Sequence, residues 1–179
     1  MDPQVVLDFW FKETPAESWF NGGTVFDQTI ITKFGALHQA ASQGELAHWR
    51  QSIHGYLAEI ILLDQFSRNI YRNQAQAFAY DGMALILAQE ALKRTDLKDL
   101  TIAEKGFLIM PFMHSESLKI HQEYAYLFEE PGLESRLKYE KLHVAIIERF
   151  GRYPHRNQVL GRTSSSDEIA FLQEPNSSF

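Results

Sequence analysis

The chain has 179 residues, 45% hydrophobic and 22% charged, with 17 Lys and Arg against 23 Asp and Glu for a formal charge of -6, and no cysteine. That length points to one domain over 1–179 with a real core. The acidic excess argues against general nucleic-acid binding, which needs a basic surface to displace counterions from phosphate; without cysteine there is no disulfide, thiolate metal site or cysteine nucleophile. Taken in chain order, Asp2 and Pro3 form a helix start, cap and first position, for a helix to about Phe11. No basic region precedes its apolar residues, so it does not read as a signal peptide. Gly22-Gly23 breaks the chain, and a helix over about 24–43 follows, with Phe26, Ile30, Phe34 and Leu37 on one face and Gly44 as its stop. Ser52 caps a helix over about 53–72, and another fits about 77–94. Thr101 and Glu104 make a capping box that opens a long helix to about Glu129, interrupted by Pro111. One more helix runs from the Pro-Gly pair at 131–132 to Phe150, where Gly151 ends it, and Ser165 with Glu168 forms a second capping box. Residues 173–179 read as a loose tail. The longest apolar run, Ile60 to Leu63, is far below the roughly 20 residues of a membrane span. An all-α, soluble, cytoplasmic protein of seven or eight helices in antiparallel pairs is the expectation, with no membrane partner.

Three polar clusters interrupt apolar stripes. On the helix around Asp64, the residues Asp64, Gln65, Arg68 and Arg72 fall within roughly a quarter turn of one face, continuing the stripe of Leu57 and Ile61. On the next long helix His114, Glu116 and His121 stand where apolar residues would sit. A buried carboxylate is costly unless paired, so Glu116 requires a cationic partner and is expected to be buried with an arginine. His114 and His121 are about 10 Å apart along a helix, too far to share one ion, and no HExxH pattern occurs, so no metal and no cofactor is expected. The third cluster is FGRYPHRNQVLGR, Phe150 to Arg162, where Arg152, His155, Arg156, Asn157 and Arg162 gather on a loop stiffened by Pro154. Arginine is the side chain best suited to bidentate contacts with carboxylates and phosphates. Five guanidiniums against the carboxylates of Asp64 and Glu116 would leave cationic charge for an anion, unless the arginines are internal struts.

LDQFSRNIYR, MPFMHSE and FGRYPHRNQVLGR, in this order and followed by E..FL, closely resemble a bacterial family catalogued as domain of unknown function number 924. The resemblance spans nearly the whole chain, from VLDFWF at 6–11 to FL at 171–172. It implies helix pairs stacked in a tetratricopeptide-repeat-like right-handed superhelix, which periodicity alone does not supply, and it implies no activity. Ser67 stands where relatives commonly carry proline, a difference expected to keep the helix regular.

These residues support three functions. The first is a binding module whose concave face gathers Asp64, Gln65, Arg68, Arg72, His114, Glu116, Arg152, His155, Arg156, Asn157 and Arg162 around an anionic small molecule or a peptide carboxylate, with a protein partner as the source of such a peptide. The second is a small hydrolase-like enzyme in which His114 or His155 serves as acid or base, oriented by Glu116 or Asp64. No nucleophile is evident, since Ser115 points about 100° away from His114 on a helix. The third is a purely structural scaffold.

Overall fold

The computed structural model describes residues 2–178, and no strand occurs among them. Helix α1, Gln4–Asp8, starts with the Asp2 carboxylate accepting the Gln4 N–H at 2.8 Å and runs into a π-helical turn, Phe9–Glu13. The short α2, Ser18–Asn21, precedes α3, Gly23–Ser42, and Gly44 follows with φ 75°. Ser52 caps α4, Ile53–Ile60, accepting the Gly55 N–H. The chain then continues through a π-helical stretch, Ile61–Phe66, into α5, Ser67–Ile70. The remaining helices are α6, Asp81–Ala91; α7, Ile102–Leu108; α8, Met110–Met113; α9, Leu118–Tyr124; α10, Glu134–Phe150; and α11, Ser166–Phe171. Both expected capping boxes form. Of the tail expected over 173–179, Phe179 lies outside the described residues; Ser177 is buried, and its hydroxyl donates to the Leu172 carbonyl at 3.2 Å.

The helical run over 53–70 is the centre of the molecule. Every residue from Leu57 to Ser67 is buried, because α4 and the segment following it touch α1, α3, α6 and α7. A helix surrounded on all sides is apolar on most of its faces, with Glu59, Asp64, Gln65 and Ser67 buried only because they are paired, which is why one stripe does not describe it. Trp10 packs edge-on to Phe66 and Phe107 from above this run, with ring centroids 5.4 and 5.5 Å apart. A second, smaller core joins Ile146, Ile147, Tyr153 and Phe171 at the C-terminal end.

Two expectations change. The run before Ser67 is not a regular helix but π-helical, and the Ser67 hydroxyl donates to the Leu63 carbonyl at 2.6 Å while accepting from His38 Nε2 at 2.8 Å. The long helix from Thr101 to Glu129 is three pieces, α7, α8 and α9, with Pro111 in the first turn of α8 rather than inside a kinked helix. The break after Met113 has a tertiary cause. The carbonyls of Met113, His114 and Ser115 accept from Tyr153 Oη, Arg156 Nη2 and His121 Nε2 at 2.6, 3.1 and 2.8 Å. Side chains thus take the places of the N–H groups of a continued helix.

Gly55 lies against the turn at 47–51, and a Cβ there would fall 1.8 Å from the Trp49 carbonyl oxygen. Gly55→Ala is therefore expected to cost about 2–3 kcal/mol in denaturant unfolding. Gly82→Ala on α6, which meets open space, should stabilise by roughly 0.5–1 kcal/mol through helix propensity. A neutral Gly55→Ala would contradict the close approach of the two segments.

Candidate functional site

Asp64 sits in the π-helical stretch with no exposed surface. Its Oδ1 accepts from His114 Nδ1 at 2.6 Å and lies 2.9 Å from Arg68 Nη1, which donates to the Asp64 backbone carbonyl at 2.8 Å, and its Oδ2 accepts from Gln65 Nε2 at 2.6 Å. Burial pushes its pKa up, but the Arg68 charge and the hydrogen bonds from His114 and Gln65 outweigh that and hold it well below the carboxylate range. A carboxylate only accepts, so the His114 Nδ1 carries the hydrogen, and in the neutral ring Nε2 is the acceptor. Burial, and then the Arg68 charge, lower the His114 pKa against the pull of Asp64. Asp64 is thus the residue that orients His114. Glu116, two residues on, turns to other partners, so the pair of His114 and Glu116 does not form.

Asp81, the first residue of α6, joins the clusters. Its carboxylate accepts from Arg68 Nη1 and Nη2 at 3.0 and 3.1 Å and from Arg156 Nη1 at 3.0 Å. Arg156 is 6% exposed. Its guanidinium lies 4.5 Å from the Phe78 ring centroid and 4.6 Å from that of Tyr153. Its Nε is buried with no hydrogen-bond partner among the described residues, as is His155 Nδ1.

The segment after α10 straps these groups together. Gly151 ends α10 in the left-handed region, φ 68°, where a side chain would be strained. The Tyr153 N–H then donates to Glu116 Oε1 at 2.8 Å, and Arg162 grips the same carboxylate with two bonds of 2.8 and 2.7 Å. Glu116 is paired as expected, but its side chain is 25% exposed rather than buried, because it lines a cavity. Arg152 makes a two-pronged pair with Glu168 at 2.7 and 2.8 Å, and Asn157 Nδ2 donates to Ser164 Oγ. Beneath the strap, His121 Nδ1 lies 2.6 Å from Glu140 Oε1 and its Nε2 3.2 Å from Tyr153 Oη.

The expected surplus of arginines over carboxylates is not present. Arg72 pairs with Asp27 at 2.6 and 2.7 Å, with Asn69 donating to the same carboxylate. Asp27, Asp81 and Glu168 thus join Asp64 and Glu116, and each of Arg68, Arg72, Arg152, Arg156 and Arg162 has an acid.

The groups border two cavities. One of about 650 Å³ is lined by Asp81, His114, Ser115, Glu116, Arg156 and Arg162, with Phe78 and Leu85. The other, about 620 Å³, is lined by Gln65, Arg68, Arg72, His114, His155 and Arg156, and by Arg136, Tyr139 and His143 of α10. Phe78, His114 and Arg156 face both. Asp64 stands behind the wall, and Arg152 and Asn157 line neither space. Among the described lining residues of the 620 Å³ cavity there is no Asp or Glu. Arg136 lies 5.0 and 4.9 Å from the Phe20 and Phe107 ring centroids, and no carboxylate pairs with it among the described residues. Burial, followed by the Arg156 and Arg68 charges, brings His155 down to about 4. Burial also brings His143 down to about 3, with His114, His121 and Arg156 adding to it against the bond to the Tyr139 carbonyl. Among the described residues no group of three or more His, Asp or Glu side chains is placed to hold a metal ion, and no helix is long and apolar enough to cross a membrane.

An all-helical molecule with two side-chain-lined cavities sharing a histidine and an arginine is the class that fold and site define. The chain belongs to the family described as bacterial protein of unknown function (DUF924), which it matches over residues 6–176. It is 34% identical to a protein of unknown function from Agrobacterium tumefaciens whose structure is solved, over 96% of each chain with a TM-score of 0.89. No curated protein matches it.

Proposed function

We propose that the chain is a cytoplasmic binding protein for an anionic small molecule held in the 620 Å³ cavity. The observation that carries this reading is the character of that wall: Arg68, Arg72, Arg136 and Arg156 border it, and no carboxylate does among the described residues. The acids Asp27, Asp64 and Asp81 sit behind the arginines and fix their geometry, which lowers the ordering cost of binding. Among the described residues Arg136 has no such acid, so its guanidinium is available to an anion. The reading of stacked, tetratricopeptide-like pairs is favoured by the neighbour relations. Helix α4 meets α1 before it and α7 after it, α3 packs on α5, and α6 packs on α4 and α8, as successive helix pairs would. A peptide carboxylate from a protein partner is the alternative occupant.

The test is calorimetry and thermal-shift titration with phosphate, sulfate, dicarboxylates and carboxy-terminal peptides, since a ligand that binds only the folded state raises the Tm. Arg136→Ala should weaken the best anion at least tenfold, with a modest fall in Tm from the lost contacts to the Phe20 and Phe107 rings. If no anion shifts the wild type, or Arg136→Ala binds equally well, the cavity does not bind anions.

A second reading, acid–base catalysis, is favoured by one observation: the Asp64 carboxylate holds His114 in the tautomer whose Nε2 accepts, and the ring borders both cavities.

A further inference from the structure

The charged groups on the wall of the 620 Å³ cavity are guanidiniums, which only donate hydrogen bonds. One of them, on Arg156, is 6% exposed and has an Nε–H without a partner among the described residues. His114 is the opposite. Its Nδ1–H is committed to Asp64 at 2.6 Å, and Asp64 is itself locked by Arg68 and Gln65, so the ring cannot exchange tautomers without losing that bond. On the neutral ring Nε2 is then the acceptor, and the ring borders both cavities beside Arg156. Burial and the Arg68 charge favour the neutral ring.

An occupant that satisfies this wall needs two kinds of group at once. We propose that the cavity selects anions that carry a hydrogen-bond donor of their own, an O–H or N–H accepted by His114 Nε2, while their oxygens take the guanidinium N–H groups. The inference rests on the anion-binding reading above and names the chemical class: protonated phosphates and phosphate monoesters, hydroxy acids and amino acids, as against sulfate or a simple carboxylate. The reason is the asymmetry of hydrogen bonding. A fully deprotonated anion presents only lone pairs, and would set one against Nε2 where a donor group would form a hydrogen bond.

The experiment compares inorganic phosphate with sulfate by isothermal calorimetry at pH 6.5, where phosphate retains O–H groups and sulfate has none. The wild type should bind phosphate at least tenfold more tightly. Asp64→Asn is nearly isosteric and reverses the donor: the new amide can donate to Nδ1, the hydrogen moves to Nε2, and the preference for phosphate should fall below about twofold. His114→Leu, which removes the acceptor, should erode the preference in the same way and serves if Asp64→Asn does not fold. The ¹⁵N resonances of His114 report the tautomer independently of any ligand, and should show hydrogen on Nδ1. Equal binding of sulfate and phosphate by the wild type would overturn the inference and leave the anion reading standing, as would a preference retained in a folded Asp64→Asn. Failure of both anions to bind would instead remove the anion reading on which it rests.

Discussion

Asp81→Asn should lower stability by about 3 kcal/mol, or roughly 6–12 °C in Tm for a chain of this size. One carboxylate holds Arg68 with two bonds and Arg156 with a third, and the side chains of the trio are 16%, 22% and 7% exposed. Neutralising it leaves Arg156 without an acid, and Arg156 is the least able of the three to turn to water. Asparagine still offers one oxygen, so the loss is below that of full truncation, and Asp81→Ala should cost more. Glu90→Gln, on the exposed pair with Lys93, is the control and should leave the Tm unmoved. Thermal unfolding of the three variants decides the matter. Equal Tm values for Asp81→Asn and Glu90→Gln would mean that Arg68 and Arg156 are solvated and the two cavity walls are not joined at Asp81.

The protein should also lose stability steeply between pH 6.5 and about 5, mostly above the range in which its carboxylates protonate. His155 and His143 are held at about 4 and about 3 in the folded state, and His38 and His114 are lowered as well. In the unfolded chain each titrates near 6.5. Across that window the unfolded state binds more protons than the folded one, so stability rises with pH and falls as acid is added. The contribution is fully present above 6.5 and is lost as pH falls toward the folded values. His143 and His155 together account for on the order of 2–4 kcal/mol by pH 5. Asp64, also depressed, acts with the same sign but only below about pH 5, as the unfolded carboxyl begins to protonate. The measurement is Tm against pH from 7.5 to 4.5, on the wild type and on His155→Gln, whose curve should be flatter because neither state then gains that proton. A wild-type Tm that does not change between pH 7 and 5 would show that these rings are protonated in the folded state.

Where the helices begin was legible, because start signals are local. Ser52, the Thr101–Glu104 box and the Ser165–Glu168 box each act within one turn of chain, and each is found in place. The break after Met113 was not legible. Its carbonyls are taken by Tyr153 and Arg156, 40 and 42 positions away, and no residue at 114–117 marks it as glycine or proline would. The site divides in the same way. Charged residues interrupting apolar stripes pointed to Asp64, Arg68, His114 and Glu116, and the loop arginines pointed to Arg156 and Arg162. Asp81 was missed because an acid in a first helical turn is ordinary; it suits the helix dipole whether or not an arginine is near. Asp27 looked like one more polar residue of α3. Arg136, Tyr139 and His143 were hidden because α10 carries charge on most of its faces, so no position contrasts with its surroundings. The π-helical stretch at Ile61–Phe66 shifted the remaining geometry, since positions derived at an even helical turn do not hold there.

The strap has a consequence for the order in which the protein matures. Asp81 and Arg156 are 75 positions apart, so at 5–20 residues per second roughly 4–15 s separate their synthesis. In that interval the central helical run can already nest among α1, α3 and α6, with Arg68 alone on Asp81. Both cavities stay unroofed until the residues after Gly151 arrive. Enclosure therefore waits on the synthesis of the residues after Gly151, and until then the growing chain presents an open trough in place of a chamber.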